Sequence, residues 1–442
     1  MKPTVQVIGA GLAGSEAALQ LADRGIPVRL FEMRPDTGTE VHETPYAGEM
    51  VCSNSLGSTE IHSASGLLKA ELALLGSRYL QLAAEFRVPA GTSFSVDRHR
   101  LAEKVDSVLD AHPGIERVRE ESRQLPPEGS AVIVATGPLT SPVFARHLTR
   151  FTQRRHLFFY DATSPIIRAD SIDWSKVYRA SRYDKGDADF INIPLDEQGY
   201  CAFVAALVEA NTVDLPDFEK RVFFEACLPV EEIARRGPMS LAFGPLKPVG
   251  LADPRSGVLP FAVIQLRQDD IRESLFQMVG FQTRLKWGEQ KRIFRSLPGL
   301  ENAEFERFGR MHRNTYINAP LIIDATGRAL KRESLFFAGQ ISGVEGYVES
   351  ICSGLLAGRQ MARYLTGRPP VPLPVETACG SLLDYIATAG WKDFRPTKFS
   401  FGLLAAADSP SGRRKLSKRE RKEQKAQRAL EILEQWIHRE SF

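Results

Sequence analysis

The sequence predicts an α/β protein in which a Rossmann-like, two-dinucleotide-binding domain is split by an inserted α+β domain and followed by a helical C-terminal extension. Three observations lead to this prediction. A glycine-rich turn joins the first strand to the first helix, a second buried strand ends in Ala-Thr-Gly, and a segment near 320–360 resembles a chain returning to the same sheet. We place the split domain at 1–158 and 311–365, the inserted domain at 159–310 and the extension at 366–442.

The composition is that of an ordinary globular protein with more than one domain. Its 442 residues exceed the size at which one hydrophobic core usually keeps growing. No apolar stretch approaches the roughly 20 residues that span a bilayer, and the segment Met1–Thr4 leaves no room for a signal peptide. The five cysteines are scattered, which argues against a disulfide framework or a zinc site and for a reducing compartment. We therefore expect a cytoplasmic protein without a bound metal.

The first motif lies at the N-terminus. Residues 4–8 are mostly β-branched and predict a buried strand, and Glu32 stands at the end of the next strand, where it can accept hydrogen bonds from ribose hydroxyls. The intervening turn has the G-x-G-x-x-G spacing, whose glycines allow a tight turn, approach of a pyrophosphate and close helix packing. A glycine-rich turn without a ligand is the weaker alternative. The residues of the turn are Gly9, Ala10, Gly11, Leu12, Ala13 and Gly14.

Later segments indicate FAD rather than NAD. The strand at 131–135 ends in Thr-Gly, a second Ala-Thr-Gly stands at 325–327, and a small-residue helix follows Gly346. We expect the N-terminus of this helix to lie under the pyrimidine edge of a flavin, where reduced flavin carries negative charge. No second G-x-G-x-x-G is present, so NAD(P)H is expected to bind transiently over the flavin. The predicted FAD contacts from these segments are Thr136, Gly137, Gly339, Gln340, Gly346, Tyr347 and Val348.

Two cysteines are candidates for chemistry. Cys52 lies in a polar turn, whereas an inert core thiol usually has apolar neighbours. Cys227 lies in a segment that could equally belong to the core. The remaining cysteines stand in apolar or small-residue runs and are predicted to be packing residues: Cys201, Cys352 and Cys379.

Five segments carry a resemblance across most of the chain: VCSNSL at 51–56, FGPLKPVGL at 243–251, VGFQT at 279–283, LKWGEQKR at 285–292 and MHRNTY at 311–316. Together they resemble the folate- and FAD-dependent tRNA (uracil-5-)-methyltransferases. One departure is Gly57, where that family is expected to have a larger, often basic residue. The family is similar to the larger flavoproteins that modify wobble uridine, but it lacks their C-terminal length.

The resemblance implies a methyltransferase that forms 5-methyluridine at position 54 in the T-loop of tRNA. It implies that NADPH or NADH reduces FAD, and that the reduced flavin passes the methylene of 5,10-methylenetetrahydrofolate to C5 of uracil. Uracil C5 is a poor nucleophile until a group adds to C6, and a thiolate is suited to that addition. The resemblance makes Cys52 and Cys227 the active cysteines, and we favour Cys227 as the nucleophile. A cation or helix N-terminus is expected to lower the pKa of such a thiol.

The folate and RNA contacts are predicted from fewer features. His312 is expected to stack on the pterin ring, with a structural histidine as the alternative, and Glu345 is the second predicted folate residue. The segment with Arg284, Lys286 and Arg292 mixes cations with a tryptophan, as RNA surfaces do, although the spacing also fits an ordinary amphipathic helix.

The C-terminal run 413–428 contains nine Lys or Arg residues against two Glu. We predict a helix there, because Ala426, Leu430, Leu433 and Ile437 share one face. A polyanion-binding tail and a solvated helix face remain alternatives for its basic part. The predicted RNA contacts of the tail are Arg413, Arg414, Lys415, Lys418 and Arg419.

Three other functions share the FAD motifs: an NAD(P)H oxidoreductase acting on a small molecule, a flavoprotein that modifies wobble uridine, and a flavin-bearing RNA-binding protein without turnover. The oxidoreductase explains neither the two candidate cysteines nor the basic tail. Transfer of labelled carbon from methylenetetrahydrofolate into a tRNA transcript distinguishes the methyltransferase from the small-molecule oxidoreductase and from the protein without turnover.

Overall fold

The structure, a computed structural model, describes residues 3–154, 157–185, 187–214, 228–404, 417–440 and 442. Among the described residues, no helix is both long enough and apolar enough to cross a membrane. The described strands form two six-stranded sheets and two smaller sheets. The α/β fold class predicted from the sequence is confirmed.

The first large sheet has the strand order β16-β17-β7-β1-β2-β6. All neighbours run parallel except β16, which is antiparallel to β17. A strand from beyond residue 330 therefore pairs with one from near residue 130, with Leu335 opposite Val132. The strands are β1 (Val5–Ile8), β2 (Val28–Phe31), β6 (Ile115–Val118), β7 (Ala131–Val134), β16 (Arg328–Ala329) and β17 (Arg332–Phe337).

Helices cover this sheet, and two of them pack very closely. A Cβ atom on Gly354 of the later helix would lie 2.2 Å from the carbonyl oxygen of Ala13 in the first, so only glycine permits this approach. The two are α1 (Leu12–Ala22) and α10 (Tyr347–Leu365). The other helices of this part are α2 (Ala64–Leu74), α3 (Arg78–Ala84), α4 (Arg98–Ala111), α5 (Pro142–Thr152), α11 (Ala378–Thr388) and α12 (Lys418–Glu440).

The second large sheet is antiparallel, with the order β10-β11-β12-β13-β9-β14. It has a hydrophobic cluster of its own, in which Ile193, Phe276 and Phe294 are fully buried. The strands are β9 (Ile166–Arg168), β10 (Tyr178–Arg179), β11 (Phe190–Leu195), β12 (Ala262–Gln268), β13 (Leu275–Met278) and β14 (Phe305–Arg307). The helices are α6 (Glu197–Glu209), α7 (Val230–Arg235), α8 (Ser240–Phe243) and α9 (Trp287–Phe294).

The described residues also form two smaller sheets. A two-stranded ribbon pairs β8 (Leu157–Ala162) with β15 (Met311–Tyr316). Its strands are the segments by which the chain leaves the first sheet and returns to it. The third set is β3 (Ser55–Ser58), β4 (Arg87–Val88) and β5 (Ser93–Val96), in the order β3-β5-β4.

The helix predicted from the sequence is present from Lys418 onward as α12, and the part of the prediction at 413–416 lies outside the described residues. Ala426 and Leu433 of the predicted apolar face are fully buried, and Leu430 and Ile437 pack against the same core. At the end of the chain, the guanidinium of Arg359 on α10 donates a hydrogen bond of 3.2 Å to the backbone oxygen of Phe442.

The structure corrects one prediction about the cysteines. Cys352 and Cys379 are fully buried, as expected of packing residues. Cys201 is exposed instead, because it lies near the start of α6 on the side away from the buried Tyr200, Phe203 and Leu207.

Candidate functional site

A cavity of about 450 Å³ opens beside the first sheet, α1 and α10. Of the fourteen residues predicted to contact FAD, twelve line it. Ala10 and Gly14 are not among the lining residues. The lining members are Gly9, Gly11, Leu12, Ala13, Glu32, Thr136, Gly137, Gly339, Gln340, Gly346, Tyr347 and Val348.

The glycine-rich turn has the shape that a pyrophosphate requires. A Cβ atom on Gly11 would meet no protein atom within 4 Å, so the space beside this backbone is free for a ligand. A Cβ atom on Gly14 would lie 1.8 Å from the carbonyl oxygen of Gly9, so this glycine serves the packing of helix on strand. The first N–H groups of α1, which starts at Leu12, have no intrahelical acceptors and can bind an anion. These residues fit a dinucleotide.

Glu32 is held at the end of β2 by three hydrogen bonds. One carboxylate oxygen accepts from the backbone N–H of Ala10 at 3.1 Å, and the other accepts from the backbone N–H and Nε of Arg34 at 3.1 and 3.0 Å. Burial acts to raise the pKa of Glu32, but these N–H donors and the Arg34 charge outweigh it and lower the pKa. The carboxylate is therefore ionised and fixed in the cavity wall.

A second helix N-terminus lines the same cavity. Gly346 precedes α10 with φ of 104°, a conformation that favours glycine. The phenol oxygen of Tyr347 accepts hydrogen bonds from the backbone N–H groups of Cys52 and Ser53, at 2.7 and 3.3 Å. The start of α10 and the Cys52 loop are thus joined directly at the cavity wall.

The second large sheet also holds the Cys52 loop. Gln277 on β13 donates to the carbonyl oxygen of Cys52 at 2.9 Å, and Arg307 on β14 donates to that of Val51 at 2.9 Å. Cys52 is therefore positioned jointly by α10 and by strands of the second sheet.

Three potential proton-transfer groups meet in the cavity. The Sγ atom of Cys52 lies 3.8 Å from Oδ2 of Asp161 and 4.0 Å from Nε2 of His312. Asp161 and His312 lie 3.9 Å apart and face each other across the β8–β15 ribbon. The potential ligand atoms of Cys52, Asp161 and His312 all lie within 4.8 Å of one another. These three residue types can also bind a metal ion, and the spacing of the residues in the sequence did not predict the cluster.

The expected lowering of the thiol pKa is wrong for Cys52. Burial raises the pKa of Cys52 well above its ordinary value, and the carboxyl groups of Asp161 and Glu345 add to the effect. The opposing influence of Arg307 is smaller. The thiol form is therefore favoured in this arrangement.

Both predicted folate residues line the cavity. Burial lowers the pKa of His312, which favours a neutral imidazole. Burial, followed by the charge of Asp161, raises the pKa of Glu345 to about 8. Glu345 accepts a hydrogen bond of 2.6 Å from Gln340, one of the predicted FAD residues.

The predicted RNA residues lie elsewhere. Arg284 pairs with Glu232 at 2.5 Å, and its side chain is mostly buried. Arg292 is exposed and pairs with Glu289 at 2.5 Å, while Lys286 is exposed just before α9. Lys418 and Arg419 form the start of α12. Four predicted site residues fall outside the described part of the chain: Cys227, Arg413, Arg414 and Lys415.

Sequence reasoning missed several residues of this site. His42 lines the cavity, where burial lowers its pKa to about 4, and its Nδ1 lies 2.7 Å from the hydroxyl of Thr39. Asp161 and Asn314 reach the cavity from the two strands of the ribbon. The available signal was the alternation of polar residues in β15, where His312, Asn314 and Tyr316 are the buried set.

Comparisons with known proteins agree with this geometry. A family model described as "Glucose inhibited division protein A" matches residues 4–369. Curated relatives named methylenetetrahydrofolate--tRNA-(uracil-5-)-methyltransferase TrmFO, from Bacillus cereus (strain G9842) and Bacillus anthracis, are each 50% identical over 434 residues, which is 98% of this chain and 99% of theirs.

Among solved structures, two crystal forms of Aquifex aeolicus GidA share the fold. Form II has a TM-score of 0.68 at 18% identity and covers 87% of this chain and 67% of its own. Form I has a TM-score of 0.67 and covers 88% of this chain and 70% of its own.

Proposed function

This chain belongs to the methylenetetrahydrofolate--tRNA-(uracil-5-)-methyltransferase family, and from that premise we propose that it methylates C5 of a uracil in tRNA with carbon from 5,10-methylenetetrahydrofolate. One observation carries the proposal beyond the family name. The cavity that fits FAD also brings the thiol of Cys52, the carboxylate of Asp161 and the imidazole of His312 within 4.8 Å of one another. Redox chemistry and proton transfer can therefore occur in one enclosed space.

FAD fits the cavity at both ends. The open space at Gly11 and the N-terminus of α1 suit the pyrophosphate, Glu32 suits the ribose, and the N-terminus of α10 suits the flavin ring. The methylene carbon must gain two electrons and a proton to become a methyl group, and FAD in its reduced form supplies those electrons. We assign NADPH or NADH as the reductant, which binds transiently because the sequence has no second glycine-rich nucleotide motif.

We assign two roles to the cysteines. A thiolate that adds to C6 makes C5 of uracil nucleophilic, and Cys227 is our choice for that step. Cys52 suits a different role, because its raised pKa keeps the proton on Sγ. Its neighbour Asp161, 3.8 Å away, is placed to accept that proton or return it.

His312 and Glu345 are our candidates for holding the folate. The neutral imidazole of His312 offers a flat face to a pterin ring, and the carboxyl group of Glu345 can hydrogen-bond to a pterin nitrogen.

The basic part of α12 and the tail before it, with Lys418 and Arg419, are our candidates for phosphate contacts. We propose the uridine at position 54 of the T-loop as the target and the cytoplasm as the location.

The test is transfer of carbon. Purified protein, 5,10-[14C]methylenetetrahydrofolate, NADPH and a tRNA transcript should give labelled RNA that yields 5-methyluridine on nuclease digestion. A transcript with cytidine at position 54 is the matched control and should remain unlabelled. Labelled wobble uridine, or NADPH oxidation with no label in RNA, would contradict the proposal.

Substitution of the cysteines separates their roles. Cys52→Ala and Cys227→Ala should each abolish methylation, while Cys201→Ser, a change at the exposed cysteine on α6, should retain it. If either alanine variant methylates tRNA at near the wild-type rate, that cysteine is a packing residue.

A further inference from the structure

We propose that the indole of Trp287 is a stacking platform for a nucleobase of the RNA substrate, adjacent to the target uridine. The proposal rests on the proposed function, because it assumes an RNA substrate. It adds an RNA-binding contact at the start of α9.

Three aromatic rings form a ladder that ends at the surface. The Phe305 and Phe308 rings stack with centroids 4.9 Å apart and an interplanar angle of 24°. The Trp287 indole stacks on Phe308 with centroids 5.8 Å apart and an angle of 17°. Phe305 packs against the hydrophobic cluster of the second sheet, so the inner end of the ladder is anchored. Trp287 is nevertheless 54% exposed, so part of its ring is accessible to a nucleobase.

Positive charge surrounds the exposed end. The guanidinium of Arg310 lies over the Trp287 ring, 5.3 Å from its centroid, and Lys286, Lys291 and Arg292 are exposed on or beside α9. One of these cations, Arg292, is paired with a glutamate. An aromatic face among cations is the combination that single-stranded nucleic acid recognises, because bases stack while phosphates pair with the charges.

The ladder is coupled to the cavity wall. Arg310 stands two residues before His312, and its backbone N–H donates to the hydroxyl of Thr163 at 2.9 Å. The side-chain amide of Gln290 on α9 both accepts from and donates to the backbone of Gly309, at 2.8 and 2.9 Å. The helix that presents Trp287 is thus fixed to the strand that carries His312.

A stacking platform would assist the reaction by helping the target uracil to leave its stack in the RNA. A uracil that reacts inside an enclosed cavity must leave its stack in the folded RNA, which costs stacking energy. The base next to it then loses a partner. The Trp287 indole, on the helix that is hydrogen-bonded to Gly309, would replace that partner and favour the extruded state of the RNA.

The test compares two exposed tryptophans of the same part of the chain. Trp287→Ala removes the platform, and Trp287→Phe keeps a ring. Trp174→Ala is the matched control, because Trp174 is 44% exposed and also has an arginine, Arg179, 5.3 Å from its ring, but its ring neighbour Phe276 meets it edge-on at 76°. Bound FAD, measured by absorbance, and the thermal midpoint verify folding of each variant.

We expect Trp287→Ala to raise both the Kd and the KM for tRNA about 10- to 100-fold. We expect Trp287→Phe to recover most of this loss and Trp174→Ala to behave as wild type. Quenching of tryptophan fluorescence by tRNA should also decrease in Trp287→Phe. A rise in the KM for methylenetetrahydrofolate with unchanged tRNA affinity would assign the ring to folate instead and overturn the proposal.

The outcomes distinguish failure of the Trp287 platform from failure of the proposed methyltransferase function. If the wild type methylates tRNA and Trp287→Ala has wild-type Kd and KM, the platform is refuted while the methyltransferase stands. If the wild type neither binds nor methylates tRNA, both are refuted.

Discussion

The Oδ2 atom of Asp161 lies 3.8 Å from the Sγ atom of Cys52, although 109 residues separate them in the chain. The carboxylate is the second cause, after burial, of the raised pKa of Cys52. This pair therefore links the reactivity of the thiol to the charge of one aspartate.

Neutralising that aspartate should change the thiol in a defined direction. In Asp161→Asn the pKa of Cys52 should fall, because a negative charge that opposes the thiolate is removed. Alkylation of Cys52 by iodoacetamide, followed by peptide mass spectrometry, should then be faster at a given pH. Methylation should nevertheless fall by about 100-fold or more, because the proton acceptor is lost. Asp170→Asn, at an exposed carboxylate, is the control, and equal alkylation in both variants would disprove the link.

The glycine-rich turn offers a pair of substitutions with opposite outcomes. Gly11→Val should leave the fold intact but release FAD, because a Cβ atom at this position meets no protein atom within 4 Å and the added side chain would occupy the pyrophosphate space. Gly14→Ala should destabilise the protein itself, because its Cβ would lie 1.8 Å from a carbonyl oxygen. Flavin absorbance and the thermal midpoint measure the two effects. Full flavin occupancy in Gly11→Val would contradict the placement of FAD.

A pH dependence of stability should arise at Glu71, which does not line the cavity. Burial raises the pKa of Glu71 to about 7, although the carboxylate accepts hydrogen bonds from the backbone N–H groups of Ala378 and Cys379. The folded state thus binds a proton more tightly than the unfolded state. The contribution of Glu71 to stability is full below about pH 4.5 and declines until about pH 7, by on the order of 3 kcal/mol.

Thermal midpoints between pH 4.5 and pH 8 test this sign. The advantage of the wild type over Glu71→Gln should be largest at low pH and should shrink as pH rises to about 7. Glu85→Gln, a change at an exposed glutamate near Lys104, is the control variant. A difference that grows with pH would contradict the raised pKa.

The salt dependence of tRNA affinity should show whether the basic tail contacts RNA. If its cations contact phosphates, log affinity for tRNA falls with log salt by about 0.7–0.9 per contact. Changing four of them to Gln should lower that slope by about three units and weaken cognate and unrelated tRNA alike. The four are Arg413, Arg414, Lys415 and Lys418.

Stability should change little, because the buried face of α12 is untouched. A control variant neutralises four exposed cations in the part of the chain that forms the first large sheet and its helices: Arg123, Arg146, Arg150 and Lys331. Equal slopes in the wild type and the tail variant would show that the run is a solvated helix face.

Local patterns predicted which residues come together along one cavity wall, because twelve of the fourteen predicted FAD residues line it. Gly9 to Gly14 and Glu32 act within one strand–turn–helix–strand unit, so their spacing alone defines the geometry. The start of α10 was also predictable from a local pattern, because Gly346 directly precedes the first residue of this helix.

The proton-transfer side was not predictable in this way. Asp161 meets His312 only because β8 pairs with β15 in one particular register, across 151 residues of chain. The raised pKa of Cys52 has a similar origin, since its polar neighbours in sequence gave no sign that the loop is enclosed by Gln277, Arg307 and Tyr347. Burial by distant segments cannot be inferred from the residues adjacent to the thiol.

The pairing of β7 with β17 has a consequence for the timing of synthesis. β7 ends at Val134 and β17 begins at Arg332, so a ribosome adding about 5–20 residues per second takes about 10–40 s between them. During that interval β7 lacks its outer neighbour and the nascent chain lacks the α10 wall of the cavity. FAD can therefore be enclosed only after most of the polypeptide has been made. A truncated polypeptide that ends before residue 347 should not retain flavin.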